Sequence, residues 1–147
     1  MITAFKDYQI SDELGRVNFK KVTGWLAETY WSPGIAQEEV ERGAKYSSLV
    51  MGTYSRDGQQ VAYARLASDK TRFGYFMDVF VEPGHRKKGI AQAMIQFAMD
   101  HPDHKSIYLW LLATQDAGKV YEKVGFGPLA HPERWMVISK GRSRGGE

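Results

Sequence analysis

The stretch Met77-Asp-Val-Phe-Val-Glu-Pro-Gly-His-Arg-Lys-Lys-Gly-Ile-Ala91 decides how the rest of the chain is read. It begins as an apolar, strand-favouring segment, residues 77–81, and breaks at Pro83-Gly84. Three cations follow, Arg86, Lys87 and Lys88, and Gly89 then opens a helical pattern. A strand, a tight loop, basic residues and a helix start in this order make an anion site. The first backbone N–H groups of a helix have no partner inside it, and the helix dipole places partial positive charge there. A glycine at the mouth removes the Cβ that would keep a phosphate away from the backbone.

Upstream, residues 73–81 read as the third strand of an antiparallel meander. Residues 47–54 form the first strand, Asp57-Gly58 gives the hairpin turn, and residues 60–67 alternate back. Before the meander lie a short strand at 8–11 and an amphipathic helix over 17–30, weakly interrupted at Gly24. A Trp31-Ser-Pro-Gly34 turn and a second helix over 36–44, acidic at its start, complete this half. Downstream, Ile90, Met94, Phe97 and Ala98 make the apolar stripe of a helix over 89–99 that stops at His101-Pro102. Residues 107–113 are almost wholly apolar, as in a strand buried on both faces, and follow the helix as its parallel partner. A short helix over 116–124, capped by Thr114 or Asp116, ends at Gly125, and residues 126–129 and 135–139 are candidate final strands. The fold class is therefore α/β: a single domain with a mixed, mostly antiparallel central sheet, one parallel crossover and flanking helices.

The 147 residues suit one domain over 1–140, followed by a tail at 141–147 with the composition of a disordered end. There is no cysteine, which excludes disulfides, thiolate metal ligands and a cysteine nucleophile. No secretory leader is visible, and no apolar run approaches the roughly 18 residues of a membrane span, so the location is read as cytoplasmic with no membrane partner. The net charge of +3 sits largely in the tail and at 86–88; it fits a small polyanion and not a nucleic-acid partner. His101-Pro-Asp-His104 has a metal-like spacing, but a proline-bearing helix stop is a poor rigid site, and no metal is expected.

Arg86-Lys-Lys-Gly-Ile-Ala91 fits the pattern Arg/Gln-x-x-Gly-x-Gly/Ala, and Thr114-Gln-Asp-Ala-Gly-Lys-Val-Tyr-Glu-Lys-Val-Gly-Phe126 is similar to a second signature of the same family. Both together, in this order, resemble the GNAT superfamily of acetyl-CoA-dependent N-acetyltransferases. The resemblance implies acetyl-CoA as acyl donor. Its pyrophosphate would be cradled by the backbone at Arg86, Lys87, Lys88, Gly89, Ile90 and Ala91. Its pantetheine arm would pair with the main chain of Val79, Phe80 and Val81. Tyr121 falls where the family places the general acid, in contact with the donor. Asp116 matches a position that is commonly Asn in the family, and an Asp brings charge but no amide donor.

Acetyl transfer to an amine requires a neutral nucleophile, a stabilised oxyanion and a protonated leaving thiolate. Without cysteine, direct attack in a ternary complex is the leading mechanism. The oxyanion donor would be a backbone N–H near Val79 or Phe80. Asp78, or Glu82 on the same face by period two, is the candidate general base, acting directly or through water. Tyr30, Trp31 and Trp135 are candidate walls for the acceptor, a small-molecule or peptide amine that the sequence does not name. The alternative is an acyl-CoA-binding regulatory module without transfer activity. The oligomeric state is open, a homodimer among the options.

Overall fold

The computed structural model describes residues 1–141, so the tail expectation lies, from residue 142 onward, outside the described residues. The strands are β1 (Ile2–Phe5), β2 (Tyr8–Ser11), β3 (Leu49–Tyr54), β4 (Gln60–Ser68), β5 (Phe73–Val81) and β6 (Leu109–Leu111). They form one sheet in the order β1-β2-β3-β4-β5-β6. Every neighbouring pair is antiparallel except β5 and β6, which run parallel. The helices are α1 (Phe19–Leu26), α2 (Gln37–Lys45), α3 (Ile90–Asp100) and α4 (Gly118–Glu122), and α3 supplies the one parallel crossover. No described helix is long and apolar enough to cross a membrane.

Each face of the sheet carries its own core. Ile10, Met51, Ala62, Ala64, Leu66 and Phe76 pack with Ile90, Met94 and Ile95 of α3. Val50 and Tyr63 face the other way and pack with Val22 and Leu26 of α1 and Val40 and Ala44 of α2. Opposite faces of β4 thus serve different helices, as alternation predicts from Ala62 onward, whereas Val61, expected on the face of Tyr63, packs on the α3 side beside Ala62 at a register shift against β3.

Four expectations are corrected. A strand precedes the first one read: β1 pairs with β2 across Lys6-Asp7, with Lys6 at φ +51. No Gly or Asn marks that turn, so the usual hairpin signal is missing. Helix α1 is shorter than 17–30. The Asn18 side chain accepts from Lys21 N at 3.1 Å, and the hydroxyls of Thr29 and Ser32 donate to the Leu26 carbonyl at 2.7 and 2.9 Å, ending the helix from outside. Strand β6 is confined to Leu109–Leu111 because it tracks β5 only opposite Phe73–Tyr75 and then diverges. Residues 126–129 and 135–139 form no strand, for within the described chain neither meets a neighbouring strand.

His101 and His104 act as a helix stop. His104 is buried, with Nδ1 at 2.5 Å from the Ala98 carbonyl; burial lowers its pKa and favours the neutral ring. His101 accepts from Asp103 N and faces Asp12 at 3.1 Å. Among the described residues no cluster of three or more His, Cys, Asp or Glu could hold a metal.

Candidate active site

The site is set by one extra residue in β5. Arg65 of β4 stands opposite Met77, but Tyr63 stands opposite Phe80, so β5 bulges between these positions. Asp78 absorbs the bulge at φ +55, a left-handed conformation that Asp tolerates better than most side chains. The bulge resets the alternation: Phe76 packs on the α3 side, yet so do Val79 and Val81. Asp78, Phe80 and Glu82 are thereby turned toward α1. Phe80 stacks on Trp25 with centroids 5.3 Å apart. Asp78 and Glu82 share a face, as period two requires, and each meets a cation. Asp78 Oδ2 accepts from Arg65 Nε at 2.7 Å, and Glu82 lies 3.5 Å from Lys21 Nζ. The other Asp78 oxygen accepts from Trp31 Nε1 at 3.0 Å. With both oxygens engaged and the side chain only 12% exposed, Asp78 is built into the scaffold of the site.

Beyond the Tyr75–Leu111 pairing β6 leaves β5, and from Phe76 onward one edge of β5 is free. Glu82 N–H donates to the Val61 carbonyl, so Phe80, two residues back, also directs its main chain toward β4. Val79 and Val81 direct theirs toward the free edge. Arg86 Nε donates to the Val81 carbonyl at 2.8 Å. Of the two residues named above as oxyanion donors, it is therefore Val79 and not Phe80 whose N–H faces the groove.

Helix α4 packs against α3, where Gln92 Nε2 donates to the Val120 carbonyl at 2.9 Å. Tyr121 is buried, edge-on to Phe126 at 6.4 Å, and its hydroxyl makes no hydrogen bond to the described chain. Burial pushes its pKa up, with Tyr30 and Asp116 adding in the same direction. Asp116 is exposed, and neither it nor Thr114 caps the helix: the N-cap of α4 is Ala117, whose N–H donates to the Thr114 hydroxyl at 3.0 Å just ahead of the first turn. Between α1 and α2 a short strap crosses the groove. Tyr30 OH accepts from Gln115 N at 3.0 Å, Trp31 holds Asp78, and the two rings meet edge-on at 5.0 Å. The strap thus joins β5 to the β6–α4 loop. Trp135, the third aromatic read from the sequence, makes no ring contact with this pair.

The anion loop follows directly. After a 3₁₀ turn at Pro83–His85, Lys87 (φ +64) and Gly89 (φ +85) are both left-handed. The N–H groups of residues 87–92 have no acceptor within the described chain; the first bond back is from Ala93 N to the Gly89 carbonyl. Left-handed residues interleaved with ordinary ones gather successive N–H groups into a concavity that suits an anion. The back of the loop is held by the β1–β2 hairpin. Lys6 Nζ donates to the Lys88 carbonyl at 2.7 Å, and Tyr8 OH lies 2.7 Å from His85 Nδ1. This support was not legible in the sequence, because β1 itself was not.

Residues 49–128 match the family model of the acetyltransferase (GNAT) domain. Among solved structures, a protein assigned to the GNAT family from Xanthomonas campestris pv. campestris is 34% identical and superposes with a TM-score of 0.84, over 90% of this chain and 92% of that one. Glucosamine-6-phosphate N-acetyltransferase from Arabidopsis thaliana gives 0.68 at 19% identity, over 92% and 99% of the two chains. A predicted acetyltransferase of Clostridium acetobutylicum, solved with acetyl-CoA, gives 0.63 at 19% identity over 95% and 96%. The last two are likenesses of fold. A search of curated protein sequences gave no match.

Proposed function

The chain belongs to the GNAT acetyltransferase family, and on that premise we propose that it moves an acetyl group from acetyl-CoA to a primary amine by direct attack in a ternary complex. The observation that carries the donor half is the row of unbonded N–H groups at 87–92, adjoining the free edge of β5. In this reading the loop from Arg86 to Ala91 holds the pyrophosphate, with Lys87 and Lys88 adding charge. The main chain around Val79 and Val81 takes the pantetheine arm. Asp116 offers acceptor oxygens only, so any contact there uses an N–H or O–H of the donor.

The thioester supplies an activated acyl carbon and a thiolate leaving group. The amine nitrogen forms the new C–N bond, the C–S bond breaks, and the charge on the oxygen meets the Val79 N–H. The Tyr121 hydroxyl gives its proton to the departing sulfur, and the amine's surplus proton passes to water. Tyr121 suits the acid role because a phenol with a raised pKa stays protonated, while an ordinary thiol titrates near 8.5. Asp78 positions Trp31 and the strap, with one carboxylate oxygen held by Trp31 and the other by Arg65.

Calorimetry with acetyl-CoA, followed by thiol release over a panel of amines, tests the proposal. Saturable binding and amine-dependent release are expected. Binding with no release for any amine would favour a regulatory acyl-CoA-binding module, and absence of binding would remove both readings. Asp78→Asn tests the assignment of Asp78, since Asn also accepts the left-handed backbone and keeps an acceptor. Turnover should fall only a few-fold, with the acid limb of the pH–rate profile unmoved. A loss of about 100-fold or more with a shifted acid limb would make Asp78 the base.

A further inference from the structure

We propose, resting on the acetyl-transfer reading, that Trp31, Arg65 and Ser47 are positioning residues: they grip Asp78 from both helices of one layer and so aim the Val79 N–H at the thioester oxygen. Asp78 carries the bulge of β5 at φ +55, and the peptide that holds the Val79 N–H begins at its carbonyl carbon. The conformation at Asp78 therefore sets where that N–H points. A left-handed residue other than glycine persists only where its surroundings over-determine it. Here the surroundings are two donors from different elements. Trp31 Nε1 donates to one carboxylate oxygen at 3.0 Å, and Arg65 Nε donates to the other at 2.7 Å.

Each grip is itself anchored. Trp31 sits in a strap that is tied back to the end of α1. The Thr29 and Ser32 hydroxyls both donate to the Leu26 carbonyl, and the Gly34 N–H returns to the Ala27 carbonyl at 2.9 Å. Arg65 is braced from α2. Its Nη1 donates to the Ser47 hydroxyl at 3.3 Å, and that hydroxyl donates to the Gly43 carbonyl, in the last turn of α2, at 2.7 Å. The guanidinium lies so close to Gly43 that a Cβ there would meet Arg65 Cζ at 3.3 Å. One chain of bonds thus runs from α2 through Ser47 and Arg65 to Asp78, and another from α1 through Trp31. The Arg65 and Asp78 side chains are only 18% and 12% exposed, so water competes little for their bond. Released from these grips, Asp78 is free to return to the extended region that side chains favour. That turns the peptide between residues 78 and 79 and takes the Val79 N–H out of line. Trp31, Arg65 and Ser47 act through Asp78 and not on the reacting atoms.

The test needs the donor alone. Acetyl-CoA with an isotopic label at the thioester carbonyl carbon is bound to the full chain, and infrared difference spectra against the unlabelled donor isolate that carbonyl. In the parent its stretch should lie below that of free acetyl-CoA, as a hydrogen bond to the oxygen requires. Trp31→Phe keeps a ring for the edge-on contact with Tyr30 but has no N–H to donate. In that variant, and in Ser47→Ala, the stretch should move back toward the free value while acetyl-CoA affinity is retained. No amine is present, so a role of Trp31 in holding the acceptor does not move this signal. Asp78→Gly keeps access to the left-handed backbone and lacks the carboxylate, so adding Trp31→Phe to it should cause no further shift. Turnover with an amine should fall about tenfold in Trp31→Phe, short of the roughly 100- to 1,000-fold cost of removing an oxyanion donor outright. Variants at opposite grips keep the test intact if one fails to fold, which circular dichroism shows. A parent carbonyl at the free value overturns the proposal, and so does a folded variant that keeps the parent's shift. A further shift from Trp31→Phe on top of Asp78→Gly also overturns it, because the tryptophan would then act by another route. A parent that binds no acetyl-CoA removes the acetyl-transfer reading itself, whereas a bound donor with an unmoved carbonyl removes only the positioning roles.

Discussion

Replacing Tyr121 by phenylalanine is expected to lower turnover by about 100- to 10,000-fold, the range for loss of a positioned general acid, with little change in acetyl-CoA affinity. The phenol ring belongs to the core on the α3 side of the sheet and packs against Phe126, contacts that phenylalanine keeps. The hydroxyl has no partner within the described chain, so its removal orphans nothing. What is lost is a proton held where the sulfur departs. Burial raises the pKa of this phenol, with Tyr30 and Asp116 contributing in the same direction. The sign follows: the protonated, competent form persists past the ordinary phenol value, so no alkaline fall in rate due to Tyr121 should appear below about pH 10. Turnover that is unchanged in a chemistry-limited assay would mean that water or another group protonates the thiolate.

The parts of this molecule that were legible in the sequence are those governed by local rules. The meander, the crossover helix and the basic loop follow from alternation, a 3.6-residue stripe, Asp57-Gly58 and Gly89, all short-range signals. The bulge at Asp78 was not legible. It appears only when the register of β4 is set against β5, and one inserted residue decides that Val79 and not Phe80 faces the groove. Period two correctly placed Asp78 and Glu82 on one face, but nothing local announced that Arg65 and Lys21 stand opposite them. The Trp31–Asp78 and Tyr30–Gln115 bonds join residues 47 and 85 positions apart, beyond the reach of any periodicity. The β1–β2 hairpin escaped because its turn is Lys-Asp, which adopts the required left-handed conformation without the usual glycine. Residues 135–139 show the converse. Their composition says strand correctly as a propensity, but a strand exists only against a partner, and the single chain offers none. The family match spans residues 49–128 and so covers the groove and the anion loop, while the hairpin and the strap lie outside it. Those are the two parts that pattern reading served least well.

Gly89→Glu is expected to weaken coenzyme A binding by about two orders of magnitude or more, through backbone strain and charge together. Gly89 sits at φ +85, where a side chain costs roughly 1–2 kcal/mol, and a Cβ there would meet the Phe5 ring at 3.4 Å. The strain acts on the fold as well as on the ligand, so the melting temperature should fall by roughly 2–8 °C in a chain of this size. Charge acts on the ligand alone. A carboxylate about 4 Å from a phosphate oxygen is repelled by about 1 kcal/mol in water and about 4 kcal/mol near a protein surface. Gly89→Ala separates the two effects, since it carries the strain without the charge; its loss of affinity should be near tenfold, with a similar fall in melting temperature. The contact with Phe5 also ties the outcome to the hairpin. If alanine displaces the ring, Lys6 should lose its hold on the Lys88 carbonyl, and the affinity of Gly89→Ala should then approach that of Lys6→Ala. Coenzyme A affinity equal to that of the parent in Gly89→Glu would show that the anion loop does not hold the pyrophosphate. The groove along β5 would then need a different ligand.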